Sequence, residues 1–174
     1  MTKQKQSLIA SFLIGFAILV GLDQWTKGLA VKHLMHQPPF VIWDGVFELL
    51  YSENRGAAFG MMQGKQFFFF LIALVVLAAV VYLLWKMPVT ERYMPMAVCL
   101  MMVAAGAVGN MIDRIGQGYV VDFLYFKLIN FPIFNVADCY VTISAFLLIL
   151  LVFFYYREEE MACFSLRKKE EKSE

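Results

Sequence analysis

The chain has 174 residues, of which 61% are hydrophobic and only 17% are charged, and its formal net charge at pH 7 is +1. A soluble domain of this length cannot bury so much apolar side-chain surface, so the composition excludes an ordinary soluble protein and predicts a membrane protein. No basic block is interleaved with aromatic residues, which argues against a nucleic-acid partner.

Four apolar runs follow one another along the chain. They cover residues 7–22, 67–85, 94–112 and 139–156. Crossing the apolar core of a bilayer takes about 20 residues, with a usual range of roughly 17–25, so three runs are long enough and the first is about one residue short. The sequence therefore predicts a single all-α membrane domain, residues 1–174, with four transmembrane helices.

The first run follows the basic start MTKQKQ and is short enough to resemble a cleavable signal peptide. No small-x-small cleavage site comes after it, since ILVGLDQW offers only Gly21, and three further runs follow. We therefore expect the first run to remain as a permanent span.

The positive charges predict how the helices are oriented. With the N-terminus inside, the cytoplasmic segments hold nine of the 15 Lys and Arg residues, although they are the shorter share of the loop sequence. Because cytoplasmic loops carry an excess of Lys and Arg, we expect both termini in the cytoplasm, the C-terminal one as a solvated, mixed-charge tail at 157–174. The two long loops, 23–66 and 113–138, then lie outside.

The outer loops contain extended patterns. In the first, FVIWDGVFELLYS alternates between apolar and other residues, which predicts short strands in a small sheet on the membrane. Such strands can bind an extended substrate backbone by strand addition. The same residues are also compatible with an amphipathic helix at the interface. In the second loop, the two glycines of RIGQGY indicate a turn, and VVDFLYFKLINFPIF is predicted to be extended and amphipathic.

Polar residues gather where the predicted spans meet the outer loops. The junction motifs LDQWTK, ENRGAAFG, GNMIDR and FNVAD all lie on one side of the membrane in this orientation. Their members, with one acid of the intervening loop, are Asp23, Lys27, Asn54, Arg55, Asn110, Asp113, Arg114, Asp122, Asn135 and Asp138. Polar residues inside membranes usually face the bundle interior and pair with one another, so we expect one polar cluster near the outer leaflet.

Most members of this cluster also have a purely structural interpretation. Asn135 and Asp138 fit the N-cap and first turn of a helix. Structural ion pairs are expected for Asp23 with Lys27, spaced i,i+4, and for Asp113 and Arg114 with their neighbours. The small residues of NRGAAFG, beginning at Gly56, are compatible with a tight turn where helices approach closely.

Asp122 is the member that such interpretations explain least. It lies among large apolar residues in YVVDFLYF, without an adjacent cation and away from any predicted helix start. Surroundings of this kind disfavour the ionised carboxylate and raise its pKa.

Other catalytic arrangements are poorly represented in the sequence. No serine lies in a G-x-S nucleophile turn, no HExxH motif is present, and the three cysteines form no CxxC pair. His33 and His36 in HLMH are interpreted as loop residues rather than metal ligands.

The remaining candidate is the pair Asp122 and Asp138. Two close carboxylates cannot both ionise readily, so they share a proton. One carboxylate then acts as general base on a water, while the protonated one donates to a carbonyl oxygen. This chemistry hydrolyses an amide with no metal and no cofactor.

The motifs LDQWTK, NRGAAFG, GAVGNMIDR, VVDF and FNVAD, in this order around four spans, resemble those of lipoprotein signal peptidase, also called signal peptidase II. The resemblance implies a multi-pass aspartic endopeptidase of the bacterial cytoplasmic membrane, with its active site on the extracytoplasmic side. Its substrates would be prolipoproteins, cut just before the cysteine that carries diacylglycerol. The expected partners are these substrates, membrane lipid and globomycin-type inhibitors, and we expect a monomer.

The resemblance also assigns the residues of the site. The catalytic pair falls on Asp122 and Asp138. Substrate binding or site support falls on Asn54, Asn110, Arg114 and Asn135, and structural support on Asp23, Lys27, Asp113 and Gly56. Cys139 departs from the family, whose members often have Ser after the catalytic Asp, but no mechanistic role attaches to that position.

Two other functional classes compete with this interpretation. A small transporter or channel subunit would use Asp23, Asp113 and Arg114 as a proton or ion relay. It predicts polar residues at mid-membrane depth, where the second and fourth runs hold only Thr142 and Ser144. A scaffold that presents the outer loop to a partner leaves the acid of VVDF without a role.

Overall fold

The computed structural model describes residues 2–56 and 66–165 of the chain. Within these residues, four helices are long and apolar enough to cross a membrane, as the sequence predicted. They are α1 (Lys3–Leu34), α2 (Gln66–Lys86), α3 (Met94–Gln117) and α4 (Val136–Leu150), which continues as a π-helical turn over Leu151–Tyr155. Most of the NRGAAFG motif and the basic residues at the end of the tail lie outside the described residues.

α1 is longer than the first apolar run. Residues 23–34, which the sequence analysis assigned to the first outer loop, form about three further helical turns. Hydropathy misses these turns because Asp23 and Lys27 interrupt the apolar run. In the structure their side chains form a buried i,i+4 ion pair of 2.9 Å, so the charges are paired within the helix.

α3 also extends past its apolar run and includes Asp113 and Arg114. The glycines of RIGQGY therefore mark the end of a helix rather than a turn within a loop. Gly118 adopts a left-handed φ of 79°, and its N–H donates to the Arg114 carbonyl oxygen (3.1 Å), which ends α3.

A three-stranded antiparallel sheet is built from both outer loops, in the order β1–β2–β3. β1 spans Phe40–Trp43, β2 spans Phe47–Asn54 and β3 spans Val120–Phe126. The first loop is therefore extended, as predicted, and the alternative of an interfacial helix is wrong. The register places Asp122 of β3 opposite Ser52, two residues before the end of β2.

α3 lies at the centre of the helices and packs against α1, α2 and α4. Small residues on α3 let α4 approach closely, since a Cβ at Gly106 would lie only 2.5 Å from the Ala137 carbonyl oxygen. This approach holds the first turn of α4 against the middle of α3.

The sheet packs on the C-terminal part of α1, where Ala30, Val121 and Phe123 belong to one buried cluster. Phe134, which lies just before α4, pairs with Leu124 of β3. The start of α4 is thereby held beside β3, and this proximity positions the site described below.

The start of the tail is folded, although Glu158, Glu159 and Ser165 are exposed as expected of a solvated end. Glu158–Met161 form a short helix. Arg92 Nε lies 2.9 Å from Glu160 Oε1, and the Tyr93 hydroxyl donates to the Glu160 carbonyl oxygen (2.8 Å). These contacts attach the segment to the residues that precede and begin α3.

Candidate active site

Asp122 lies on β3 and is 2% exposed. Both oxygens of its carboxylate accept hydrogen bonds from amide side chains: Asn54 Nδ2 donates to Oδ2 (2.9 Å), and Asn135 Nδ2 donates to Oδ1 (2.6 Å). The two donors come from the end of β2 and from the residue before α4. Three separate segments therefore meet at this carboxylate.

Asp138 lies in the first turn of α4 and forms a capping box with Asn135. The Asn135 side-chain oxygen accepts from the Asp138 N–H (3.0 Å), and the Asn135 N–H donates to Asp138 Oδ2 (3.1 Å). The other carboxylate oxygen, Oδ1, accepts from Asn110 Nδ2 (2.8 Å). The predicted N-cap is therefore present. Capping uses only Oδ2 of Asp138, and Oδ1 accepts its hydrogen bond from α3.

Asn135 joins the two carboxylates. Its side chain is fully buried, and its groups bond to Asp122, Asp138 and Asn110, the last through Nδ2 and Asn110 Oδ1 (3.1 Å). The sequence analysis placed Asn135 among residues for substrate binding or site support. Its burial and its contacts favour site support.

The electrostatics of Asp122 follow from these surroundings. Burial, and to a smaller extent the negative charge of Asp138, together raise the pKa of this carboxyl from 3.8 to about 7. Hydrogen bonds from Asn54 and Asn135 and the positive charge of Lys27 oppose the rise in pKa. The sequence-based expectation of a raised pKa at this position is confirmed.

A buried ion cluster lies beneath the carboxylates. Lys27 Nζ bonds to Asp23 Oδ2 (2.9 Å), Asp113 Oδ2 (3.1 Å) and Asn110 Oδ1 (2.9 Å). Asp23 Oδ1 also accepts from the Ala137 N–H (2.9 Å), in the first turn of α4. The ion cluster thus connects α1 and α3 to the start of the helix that carries Asp138.

The same cluster contacts β3 through Asp113, whose Oδ2 accepts from the Val121 N–H (3.1 Å). This bond fixes the backbone one residue before Asp122. The structural pairs predicted for Asp23, Lys27 and Asp113 are therefore present.

Sequence reasoning missed two residues of the cluster. Gln24 Nε2 donates to Asp23 Oδ2 (3.1 Å), Asp113 Oδ1 (3.0 Å) and the Gly109 carbonyl oxygen (3.1 Å). Gly109 itself has no room for a side chain, because a Cβ there would overlap the Asp23 carboxylate. Gln24 follows Asp23 directly in LDQWTK, and its place in that polar junction motif was the available signal.

Arg114 does not form the predicted ion pair, since no carboxylate of the described residues lies within 4.0 Å of its guanidinium. Its Nη1 donates to the Asn110 carbonyl oxygen (3.3 Å) and its Nη2 to that of Gly56 (3.5 Å). The guanidinium lies 4.7 Å from the centre of the Phe69 ring. Asn54 Oδ1 accepts from the Gly56 N–H (3.0 Å), so the Gly56 backbone connects Asn54 and Arg114.

An open groove of about 640 Å³ starts at these residues. Its polar end is lined by Asn54, Arg114 and Asp138, and its walls are mostly apolar side chains of segment 126–134 and of α4. A concave apolar surface with a few convergent polar groups is typical of a ligand site. The groove fits an apolar chain whose polar end lies at the carboxylates.

The metal alternatives gain no support in the described part of the chain. No group of three or more His, Cys, Asp or Glu side chains there is arranged to hold a metal ion. His33 and His36 are exposed near the end of α1, and the three cysteines are unpaired.

Comparisons with known proteins agree with this picture. The family model described as signal peptidase (SPase) II matches residues 15–154. The lipoprotein signal peptidase of Caldanaerobacter subterraneus subsp. tengcongensis is 46% identical over 133 residues, which cover 76% of this chain and 88% of the relative. That of Enterococcus faecalis is 44% identical over 131 residues, which cover 75% of this chain and 80% of the relative.

Solved structures show the same architecture. Two structures described as bacterial membrane enzymes align with TM-scores of 0.72 and 0.73, at 29% and 32% sequence identity. The first alignment covers 92% of this chain and 94% of that structure, and the second covers 85% and 96%. The transporter and scaffold alternatives have no counterpart in these matches.

Proposed function

The chain belongs to the signal peptidase II family, and we propose that Asp122 and Asp138 are its catalytic pair. As a member of this family, it is a membrane peptidase that removes signal peptides from prolipoproteins. The observation that best supports the proposal is the position of Asn135, which hydrogen-bonds both carboxylates and so keeps them together.

The pair carries out hydrolysis with one shared proton. The ionised carboxylate takes a proton from a water, which attacks the scissile carbonyl carbon, while the protonated carboxyl donates to the carbonyl oxygen. The tetrahedral intermediate then collapses, the C–N bond breaks, and the amine leaves with a proton returned by the pair. Because the carboxylates interact, the two protonation steps belong to the pair rather than to either residue.

The groove supplies the binding energy for the substrate. Its apolar walls fit the acyl chains of a diacylglyceryl cysteine or the apolar signal peptide, which leaves the scissile bond beside Asp138. Asn54 and Arg114 at the polar end provide donors for peptide carbonyl oxygens. We propose that globomycin-type cyclic peptides compete for this groove, and that the enzyme acts as a monomer because one chain supplies both carboxylates.

The pH dependence of cleavage tests the shared proton. We expect a bell-shaped kcat/KM profile, because the pair needs one base and one acid. Burial and the charge of Asp138 raise the pKa of Asp122 to about 7, so above that pH the pair loses its last proton and the rate falls about tenfold per pH unit.

The measurement uses a purified diacylglyceryl-modified prolipoprotein and the full chain in detergent, across roughly pH 4–10. A chelator should leave the profile unchanged, since the scheme involves no metal. A profile that stays flat through neutral and alkaline pH would contradict the shared proton.

The proposed site faces the outside of the bacterial cytoplasmic membrane, with both termini inside. We expect a single cysteine introduced as Trp43→Cys into a cysteine-free variant to react with a membrane-impermeant maleimide in intact cells. Lys3→Cys should react only after the cells are made permeable. Trp43 is 68% exposed and lies on β1, so no other part of the described chain shields this position from the reagent. The opposite labelling pattern would reverse the orientation.

A further inference from the structure

Lys27 is a buried cation that the hydrolysis scheme does not use. Its side chain is 4% exposed, whereas Lys32 on the same helix is exposed. An ammonium group has three donors and no acceptor. All three donors are occupied, by Asp23, Asp113 and the side-chain oxygen of Asn110.

The third of these bonds determines how the Asn110 amide is oriented. Lys27 can only donate, so the atom of Asn110 that faces it must be the oxygen, and the NH2 group must point the other way. Asn135 Nδ2 donates to the same oxygen (3.1 Å), which reinforces this orientation. The NH2 group is thereby directed at Asp138 Oδ1, 2.8 Å away.

The two carboxylate partners of Lys27 do not require Asn110. Asp23 also accepts from the Ala137 N–H and from Gln24, and Asp113 also accepts from the Val121 N–H and from Gln24. The Lys27–Asn110 bond adds nothing to the neutralisation of these acids. Its effect is on the catalytic carboxylate beyond the amide.

Charged side chains surround the pair on α1, α3, β3 and α4. They are Asp23 and Lys27 on α1, Asp113 and Arg114 on α3, Asp122 on β3 and Asp138 on α4. The titratable Cys139 and Tyr140 follow Asp138, and β2 contacts the pair through the neutral Asn54. Acids outnumber bases in this set. Lys27 is the base that is fully enclosed.

We propose that Lys27 is a positioning residue for hydrolysis, which acts through Asn110 to aim the amide donor at Asp138 and supplies a positive charge to the catalytic pair. This inference depends on the proposed function, because it assigns Lys27 a task only if Asp138 is catalytic. It differs from structural support in predicting that Lys27 and Asn110 act as one unit.

A double-mutant cycle tests that unit. Lys27→Met should lower kcat about 100-fold with little change in KM, because a small misplacement of a catalytic group is sufficient for such a loss. Lys27→Arg, which keeps the charge and the donors, should retain most of the activity. Lys32→Met is the matched control on an exposed turn of α1 and should behave as the unmodified protein.

In an Asn110→Ala background, Lys27→Met should cause less than about a threefold further loss, because residues of one network are not additive. A further loss of about 100-fold in that background would overturn the positioning role, and so would native kcat in Lys27→Met. The basic limb of the pH profile should also move to higher pH in Lys27→Met, since removing a cation raises the pKa of Asp122. A basic limb at the same pH as in the unmodified protein would exclude an electrostatic contribution of Lys27 to the pair.

A variant that leaves two buried acids without their cation has a risk of misfolding. Lys27→Met combined with Asp113→Asn keeps the buried net charge constant and still removes the bond to Asn110. Its kcat should lie about 100-fold below that of Asp113→Asn alone, and equal values would overturn the proposal. Full turnover by Asp122→Asn or Asp138→Asn would overturn the proposed function and this inference together, whereas additive cycles would overturn only the inference.

Discussion

Asp122→Asn and Asp138→Asn are each expected to lower kcat for cleavage of a lipidated prolipoprotein by about four orders of magnitude. An amide at either position can neither accept a proton from water nor pass one to the carbonyl oxygen, and general acid–base groups typically contribute 10²–10⁴-fold each. Residues that act as one catalytic unit lose nearly the full effect when either is removed. The double variant should therefore be no slower than either single variant.

Purified variants, assayed in detergent with single-turnover conditions, provide the measurement. The matched control is Asp44→Asn, because Asp44 is an exposed acid in the turn between β1 and β2, and the sheet register separates this turn from Ser52, which lies opposite Asp122. Each variant should elute as the unmodified chain does on size exclusion and keep a cooperative thermal transition. Native turnover in either folded site variant would exclude that carboxylate from the chemistry.

The pair can also be distinguished from two independent acids. If Asp122 and Asp138 share a proton, Asp138→Asn removes one source of the raised pKa at Asp122, so its carboxyl should titrate at lower pH than in the unmodified chain. Burial, the larger cause, remains in that variant. The pKa should therefore stay above the ordinary 3.8 of a carboxyl while falling below about 7.

The helices and the extended loops were predictable from the sequence because both follow from local patterns. Apolar runs of sufficient length identify four spans, and alternation predicts the strands of the first loop. One polar cluster was predictable because the alternation of spans and loops puts the junction motifs on the same side of the membrane, and polar groups in membranes pair with one another. These expectations needed no knowledge of which residues touch.

The long-range contacts could not be predicted in the same way. Asn54 and Asp122 meet because β2 pairs with β3, although α2 and α3 separate these strands in the sequence. No local sequence pattern specifies that pairing or its register. The helical extension over residues 23–34 depends on Asp23 and Lys27 neutralising each other, which hydropathy counts as two interruptions. Arg114 was expected in an ion pair, yet its guanidinium bonds to backbone carbonyl oxygens and faces the groove.

The dual role of Asn135 is another feature hidden from the sequence. An Asn three residues before an Asp at a helix start is sufficiently explained by capping. Only the folded chain places the remaining amide donor against Asp122 and Asn110. A residue explained by local structure can therefore also organise a site.

Asn135→Leu is expected to lower both stability and kcat strongly. It removes the helix cap, the donor to Asp122 and the donor to Asn110 at a fully buried position. Loss of an N-cap costs about 1 kcal/mol and loss of a hydrogen bond to a charged group about 1.5–3 kcal/mol, so the free energy of unfolding should fall by about 2.5–4 kcal/mol. We expect kcat to fall at least about 100-fold, since both carboxylates lose their common support.

Asn135→Ser separates the two roles of Asn135, as helix cap and as donor to the site. Its hydroxyl still accepts from the Asp138 N–H and should restore about 1 kcal/mol of stability, but it does not reach Asp122 and Asn110 as the amide does, so kcat should stay low. Thermal unfolding and single-turnover cleavage of the two variants give the comparison. Activity that recovers in Asn135→Ser in step with its stability would mean that Asn135 serves the site only as a helix cap.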